Sequence, residues 1–303
     1  MKRPINKTKT EPEEEMPRTE SKHAQATISE QTIQKPKQTE GRRAGVEEKR
    51  QQTEAEWRKI TRGDLLLPEV KLYYEIIGQG QPLLLLHGNR QSHHIFHSYV
   101  HALSAKHQLI LMDSRAHGHS VMTKPFAEAT FSIGDMADDV RKLLDHLGIR
   151  KVTLLGYSDG ANIALEFASR YPERTRAVIA VSGNASPHGL RFPVRLGTQL
   201  VGAVLDMLQR HLVNGRFRTA LRRQLQTNRL LTEEPDLPAE RLQRIEAPVL
   251  LLAGTHDLIK TSHTRWMASE IPHSRLCLIA GGTHQALFRQ KEQCLREIRA
   301  FLD

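Results

Sequence analysis

The stretch KVTLLGYSDGANIALEFASRY, residues 151–171, runs three kinds of sequence together without a break. VTLL (152–155) is short, apolar and β-favouring; GYSDG (156–160) is a tight Gly-x-Ser-x-Gly; from Asp159 to Tyr171 the apolar residues follow a helical period. Strand, sharp corner and helix are therefore expected in that order. A serine on such a corner projects above the sheet edge, and the helix N-terminus behind it favours negative charge developing there. The flanking Gly156 and Gly160 leave room for the turn. Gly-x-Ser-x-Gly is common by chance, and it is the strand before and the helix after that make Ser158 a candidate nucleophile.

Outward from the corner, strands and helices alternate. VKLYYEII (70–77) alternates in polarity, whereas PLLLL (82–86) and QLILM (108–112) are continuous apolar runs of the kind found in strands covered on both faces. A helix is expected over 93–105, and another over SIGDMADDVRKLLDHLG (132–148), with Ser132 as its N-cap and Gly148 as its stop. TRAVIAVS (175–182), VLLLAG (249–254) and RLCLIAG (275–281) read as strands, with helices around 262–270 and 287–302. Repeated β-α-β units predict an α/β fold with a doubly wound, mostly parallel sheet over residues 63–303. The interval from Ser182 to Pro248 far exceeds an ordinary connection. Its centre, LGTQLVGAVLDMLQRHLV (196–213), has apolar residues at helical spacing, which predicts a small helical lid over about 184–240, inserted before the strand at 249–254.

A serine hydroxyl needs a neighbouring base to take its proton. LIAGGTHQALF (278–288) supplies His284 just past a strand, and VLLLAGTHDLI (249–259) supplies Asp257 in the same kind of position. In the order Ser158, Asp257, His284, the imidazole would act as general base and then general acid, with Asp257 fixing its tautomer. His256 shares a loop with Asp257 and is poorly placed to bridge to Ser158. Asp139 and Glu166 read as solvated helix-face charges. The oxyanion of an acyl-transfer intermediate would lie on the backbone N–H of Asp159 and on that of Asn89, in the loop after the strand 82–86.

LLLLHGN (83–89), DSRAHGHS (113–120), GYSDG, GTHDLI (254–259) and GGTHQAL (281–287) together resemble the α/β-hydrolase family in its serine-hydrolase form, over about residues 64–303. GYSDGANIAL (156–165), with Asp directly after the serine, is more narrowly similar to the biphenyl-hydrolase-like esterases of that family. The resemblance implies acyl transfer through an acyl-enzyme, because siblings that open epoxides or remove halides carry Asp at the elbow. Members often show Asp-x-Arg-Gly-x-Gly-x-Ser after the fourth strand. Here Ala116 stands in place of the first Gly, which leaves the backbone of that loop open.

Charge is unevenly spread. The net charge is +10, of which residues 1–62 carry +4 and residues 186–231, with eight Arg, no Lys and the single acid Asp206, carry +7. The remaining body is near neutral, which argues against a nucleic-acid-binding face on the main fold. Residues 1–62 are rich in Gln, Thr, Pro and charge, with Trp57 their one aromatic, and are expected to be a disordered extension. It has no apolar core of a secretory signal, and the chain has no transmembrane run. Cys277 and Cys294 have no metal-like spacing, so a reduced, cytoplasmic chain is expected.

Asp159 invites two readings: an acid complementing its helix dipole, or a carboxylate selecting a cationic substrate. Tyr157, Asp159 and His93 are the candidates for substrate contact. His93, His97 and His101 share one helical face at metal-like spacing, but no carboxylate or cysteine joins them nearby in sequence, so no metal and no cofactor are expected. The arginines of the insertion read as a solvated surface, or as an attractor for anionic substrates or headgroups. The function expected is hydrolysis of a small or medium carboxylic ester. Hydrolysis of an amide, thioester or C–C bond by the same residues is the enzymatic alternative. Ligand binding without turnover is the rival from another class.

Overall fold

Four consecutive leucines, Leu83 to Leu86, are fully buried, and they decide how the layers stack. Leu84 and Leu86 face a core shared with Ile110, Met112, Leu154 and Val178. Leu83 and Leu85 face a second core with Leu109, Leu111, Leu155 and Ile179. Side chains alternate along a strand, so a strand apolar at every position must be covered on both faces.

The computed structural model describes residues 60–123, 130–211 and 215–303. Its strands run β1 (Thr61–Leu66), β2 (Val70–Ile77), β3 (Gln81–Leu86), β4 (His107–Met112), β5 (Val121–Met122), β6 (Val152–Tyr157), β7 (Thr175–Val181), β8 (Val249–His256) and β9 (Ser274–Thr283). They form one sheet in the order β1-β2-β4-β3-β6-β7-β8-β9, with β5 paired to β2. β1 and β2 pair antiparallel, as do β2 and β4, and every pair from β4–β3 to β8–β9 is parallel. A 3-10 turn (His93–Phe96) leads into α1 (His97–Ser104). α1 and α9 (Lys291–Leu302) supply Tyr99, Leu103, Leu295 and Ile298 to the second core. α2 (Ile133–His146) and α3 (Asp159–Arg170) supply Met136, Val140, Ile163 and Phe167 to the first. The sheet is doubly wound and mostly parallel, as expected.

Several expectations need revision. β1 begins at Thr61, inside the segment assigned to the disordered extension, whose residues up to 59 lie outside the described residues. The alternating β1 and the two-residue β5 carry little apolar signal of their own and are held by pairing with β2. Asp139 and Glu166 are not solvated. Asp139 takes a two-pronged hydrogen bond from Arg115 at 2.7 Å to each oxygen, and Glu166 is buried beneath Arg170 and Arg241. Both acids sit on helix faces turned toward the body, where only a fixed guanidinium makes a carboxylate tolerable.

Between β7 and β8 lie α4 (Phe192–His211), α5 (Gly215–Thr232) and the short α6 (Ala239–Leu242). The apolar stripe of α4 is left outside, not packed down: Leu196, Leu200, Val201, Val204 and Leu208 are all exposed. α7 (Thr261–Glu270) follows β8, and α8 (Ala286–Arg289) follows β9. α2 starts as expected, with the Ser132 hydroxyl accepting the Asp135 N–H and the Asp135 carboxylate accepting the Ser132 N–H.

Ala116 resolves the loop left open by the sequence. It is buried with φ at 64°, so the chain adopts there the left-handed conformation that glycine takes freely. An L-residue in that region costs about 1–2 kcal/mol. Ala116→Gly is expected to stabilise the fold by up to about 1 kcal/mol, read as a higher urea midpoint; a lower midpoint would mean that the Ala116 methyl contributes more by packing than its backbone costs.

Candidate active site

Ser158 sits between β6 and α3 with φ 55° and ψ −121°, a strained conformation for a serine. Surrounding contacts impose it. Its N–H donates to Val181 O at 2.8 Å, and its carbonyl accepts the N–H groups of Ala161 and Asn162. A Cβ on Gly156 would lie 2.1 Å from Gly160 O, and one on Gly160 would lie 2.0 Å from Leu86 O, so neither position admits a side chain. Strain of this kind persists only where the neighbourhood over-determines it.

His284 and Asp257 come from the loops after β9 and β8. His284 Nε2 lies 3.1 Å from Ser158 Oγ, and its Nδ1 lies 2.7 Å from Asp257 Oδ1. Asp257 is almost completely buried and also accepts the Ser182 hydroxyl at 2.6 Å and the Ile259 N–H at 3.1 Å. Burial pushes its carboxyl up, but the hydrogen bonds from His284, Ser182 and Ile259 together with the His284 charge outweigh it, and the carboxyl is held below its usual range. An ionised Asp257 accepts only, so the proton on His284 Nδ1 faces it and the Nε2 lone pair faces Ser158. The Tyr157 hydroxyl donates to His284 O at 3.1 Å, which steadies the loop. Ser182, at the end of β7 with φ 55°, was not singled out from the sequence. Its only sequence signal is its place at the end of TRAVIAVS, beside the strand that leads to Asp257.

The loop after β3 lies against the serine: a Cβ on Gly88 would be 3.1 Å from Ser158 Cβ. His87 anchors this loop. Its Nε2 accepts the Ser114 N–H, its Nδ1 lies 2.8 Å from Gly88 O, and burial lowers its pKa to about 4, so the ring stays neutral. Asn89 turns its amide toward Asp159 Oδ2 (2.8 Å) and Thr227 O (2.7 Å). The backbone N–H groups of Asn89 and Asp159 donate to no group among the described residues.

A cavity of about 620 Å3 opens onto Ser158 and His284, with Asn89, Tyr157, Asp159 and Glu234 in its wall. Leu190, Val194 and Leu230 make its apolar part. Among the described residues no Lys or Arg lines it. A larger cleft of about 970 Å3, with Arg90, His117 and Arg223 in its wall, lies on the other side of Gln91 and contains neither Ser158 nor His284. The reacting groups, not size, mark the smaller cavity. Four arginines of the insertion are engaged with separate partners. Arg191 donates to Asp257 O, Arg195 meets His188, Arg210 pairs with Asp206 and Arg229 with Glu233, while the side chains of Arg216 and Arg218 lie outside the described residues. His93 is corrected as a substrate contact. It is fully buried against Asp113 and does not line the cavity, because the turn at 93–96 points it into the body.

Residues 81–228 match the family model for the alpha/beta hydrolase fold. Over 243 residues the chain is 30% identical to the Azorhizobium caulinodans protein named "Putative carbamate hydrolase RutD", spanning 71% of this chain and 89% of that one. The chain belongs to the α/β-hydrolase family. A cis-3-alkyl-4-alkyloxetan-2-one decarboxylase of Shewanella oneidensis is 24% identical over 77% of this chain and 85% of its own. The solved structure of a thermophilic esterase from Thermogutta terrifontis aligns with a TM-score of 0.62 at 25% identity, covering 80% of this chain and 98% of that one. Within this α/β-hydrolase, the corner GYSDG and the loops after β3, β8 and β9 meet at one cavity mouth.

Asp159 is the most perturbed acid of that cavity. Burial raises its carboxyl from 3.8 to about 7, against the opposing hydrogen bond from Asn89. The fold thus favours the neutral acid, and its contribution to stability falls as pH rises from about 4 to about 7. Asp159→Asn keeps the backbone N–H and removes that loss. It is expected to be roughly 2–4 kcal/mol more stable than the parent at about pH 8 and near parity at about pH 4, by urea unfolding; an equal difference at both pH values would contradict the shift.

Proposed function

We propose that this α/β-hydrolase is a serine hydrolase that cleaves a small or medium carboxylic ester through an acyl-enzyme. One observation carries the reading: the unbroken hydrogen-bond chain from Ser158 Oγ to His284 Nε2 at 3.1 Å and from His284 Nδ1 to Asp257 at 2.7 Å. Ser158 Oγ attacks the acyl carbon and its proton passes to His284 Nε2, while Asp257 stabilises the imidazolium. The carbonyl oxygen, now negative, is held by the N–H groups of Asn89 and Asp159. Collapse expels the alcohol, which takes the proton from His284. Water then attacks the acyl-Ser158 ester with His284 again as base, releasing the acid and restoring the serine.

The charge in the cavity supports a preference between substrates. Among the described residues of its wall, Asp159 and Glu234 are the acids and there is no Lys or Arg. A neutral or cationic ester suits this lining better than an anionic one. An ammonium group beside Asp159 would favour the ionised carboxylate, so discrimination for cations should grow as pH passes about 7. The relative named as a carbamate hydrolase gives a reason to include carbamates beside esters. Amides, thioesters and C–C bonds would draw on the same activated serine and differ only in the pocket.

The test is labelling with a fluorophosphonate serine-hydrolase probe. Wild type should label, and Ser158→Ala and His284→Ala should lose labelling by at least about a hundredfold. A panel of neutral, cationic and anionic esters with matched carbamates then ranks substrates. A folded wild type that neither labels nor turns over any of them would move the non-catalytic ligand-binding reading to the front.

A further inference from the structure

His93 is completely buried and only half satisfied. Its Nδ1 lies 2.9 Å from Asp113 Oδ1, which also accepts the His93 backbone N–H at 2.7 Å. Asp113 Oδ2 accepts the His119 N–H at 2.7 Å. Both Asp113 oxygens are thus engaged as acceptors of backbone N–H groups. A carboxylate only accepts, so His93 carries its proton on Nδ1 and presents the Nε2 lone pair. That Nε2 has no hydrogen-bond partner. The nearest acid is no donor either: Glu75 Oε1 lies 3.7 Å away and is taken by Arg62 and Tyr73, and Glu75 Oε2 is buried without a partner. Among the described residues both buried acceptor atoms, His93 Nε2 and Glu75 Oε2, are left without a donor, a costly arrangement unless a cation occupies the site.

Two more imidazoles lie close to His93. His94 Nδ1 and His97 Nε2 are 3.2 Å apart, and one ring nitrogen from each of His93, His94 and His97 lies within 4.8 Å of the others. Nitrogens bound to one tetrahedral zinc ion at its usual bond length are spaced about 3.3 Å apart. The Asp113–His93 pair has the form of a carboxylate that orients a metal-ligating histidine from behind.

We propose that His93 Nε2, His94 and His97 bind a divalent transition-metal cation of the zinc type, with Asp113 orienting His93 and Glu75 beside the site. The imidazole set suits zinc, copper or nickel and not magnesium or calcium. None of the three histidines lines the Ser158 cavity, so the site is separate from the proposed chemistry. The ion would tie the turn at 93–97, which continues the loop that carries Asn89, to Asp113 at the end of β4 and so stiffen that loop. The sequence predicts no metal here because no carboxylate lies nearby along the chain. In the fold, Asp113 and Glu75 arrive from other strands, and the third ligand is His94 instead of His101.

The experiment uses the full chain stripped with a chelator, titrated with Zn2+ by calorimetry and with Co2+ by visible absorption. One Zn2+ per chain should bind, and Co2+ should give the intense d–d bands of a low-symmetry nitrogen site. His94→Ala and His97→Ala, both outside the packed core, should each weaken Zn2+ binding by about 10–100-fold, while His211→Ala on α4 should not. Absence of Zn2+ binding to wild type overturns the proposal. So does equal binding by the His94→Ala/His97→Ala double variant, or an equal loss in His211→Ala, since binding would then belong to scattered surface histidines.

Discussion

The close approach of α3 to β6 and β3 is the contact on which the rest depends. Gly156 and Gly160 touch backbone where any side chain would collide, so the first turn of α3 presses directly onto the ends of two strands. That pressure holds Ser158 at φ 55° and lifts its Oγ out of the sheet toward His284. The same approach sets the loop after β3 against the serine. One packing event thus positions the proposed nucleophile and both proposed oxyanion donors, and the helix N-terminus adds its partial charge at that spot.

Buried charges hold the loops around this corner. The loop after β4 is fixed by the Arg115–Asp139 pair and by Asp113, and the loop after β3 by the neutral His87 bridging Gly88 O and the Ser114 N–H. Such groups contribute little net stability, because desolvation offsets much of their attraction. Removing one partner leaves the other unmet, so they enforce a single loop geometry. Asp159 belongs to the same economy with the opposite sign: the Asn89 amide only partly offsets its burial, and its carboxyl stays near neutrality.

The strands of the parallel part and the residues of the corner were legible because each signal is local. Six apolar β-favouring segments, a Gly-x-Ser-x-Gly, and a His and an Asp just past later strands can each be read within about ten residues. What was misread depends on partners far along the chain. Asp139 and Glu166 look like solvated charges until Arg115 and Arg241 fold over them. The α4 stripe looks like a packing face, yet α4 has no buried residue. His93 looks like a helix-face histidine until Asp113 from β4 reaches it. Ser182 is invisible because nothing near it in sequence marks its hydrogen bond to Asp257.

Mass spectrometry of the Ser158 peptide during turnover of an activated ester, quenched in acid within the first turnovers, tests the central claim most directly. The account predicts a burst of released alcohol and an acyl mass on Ser158 that accumulates in the first turnover and disappears as substrate is exhausted. Turnover with an unmodified Ser158, continuing undiminished in Ser158→Ala, would contradict it.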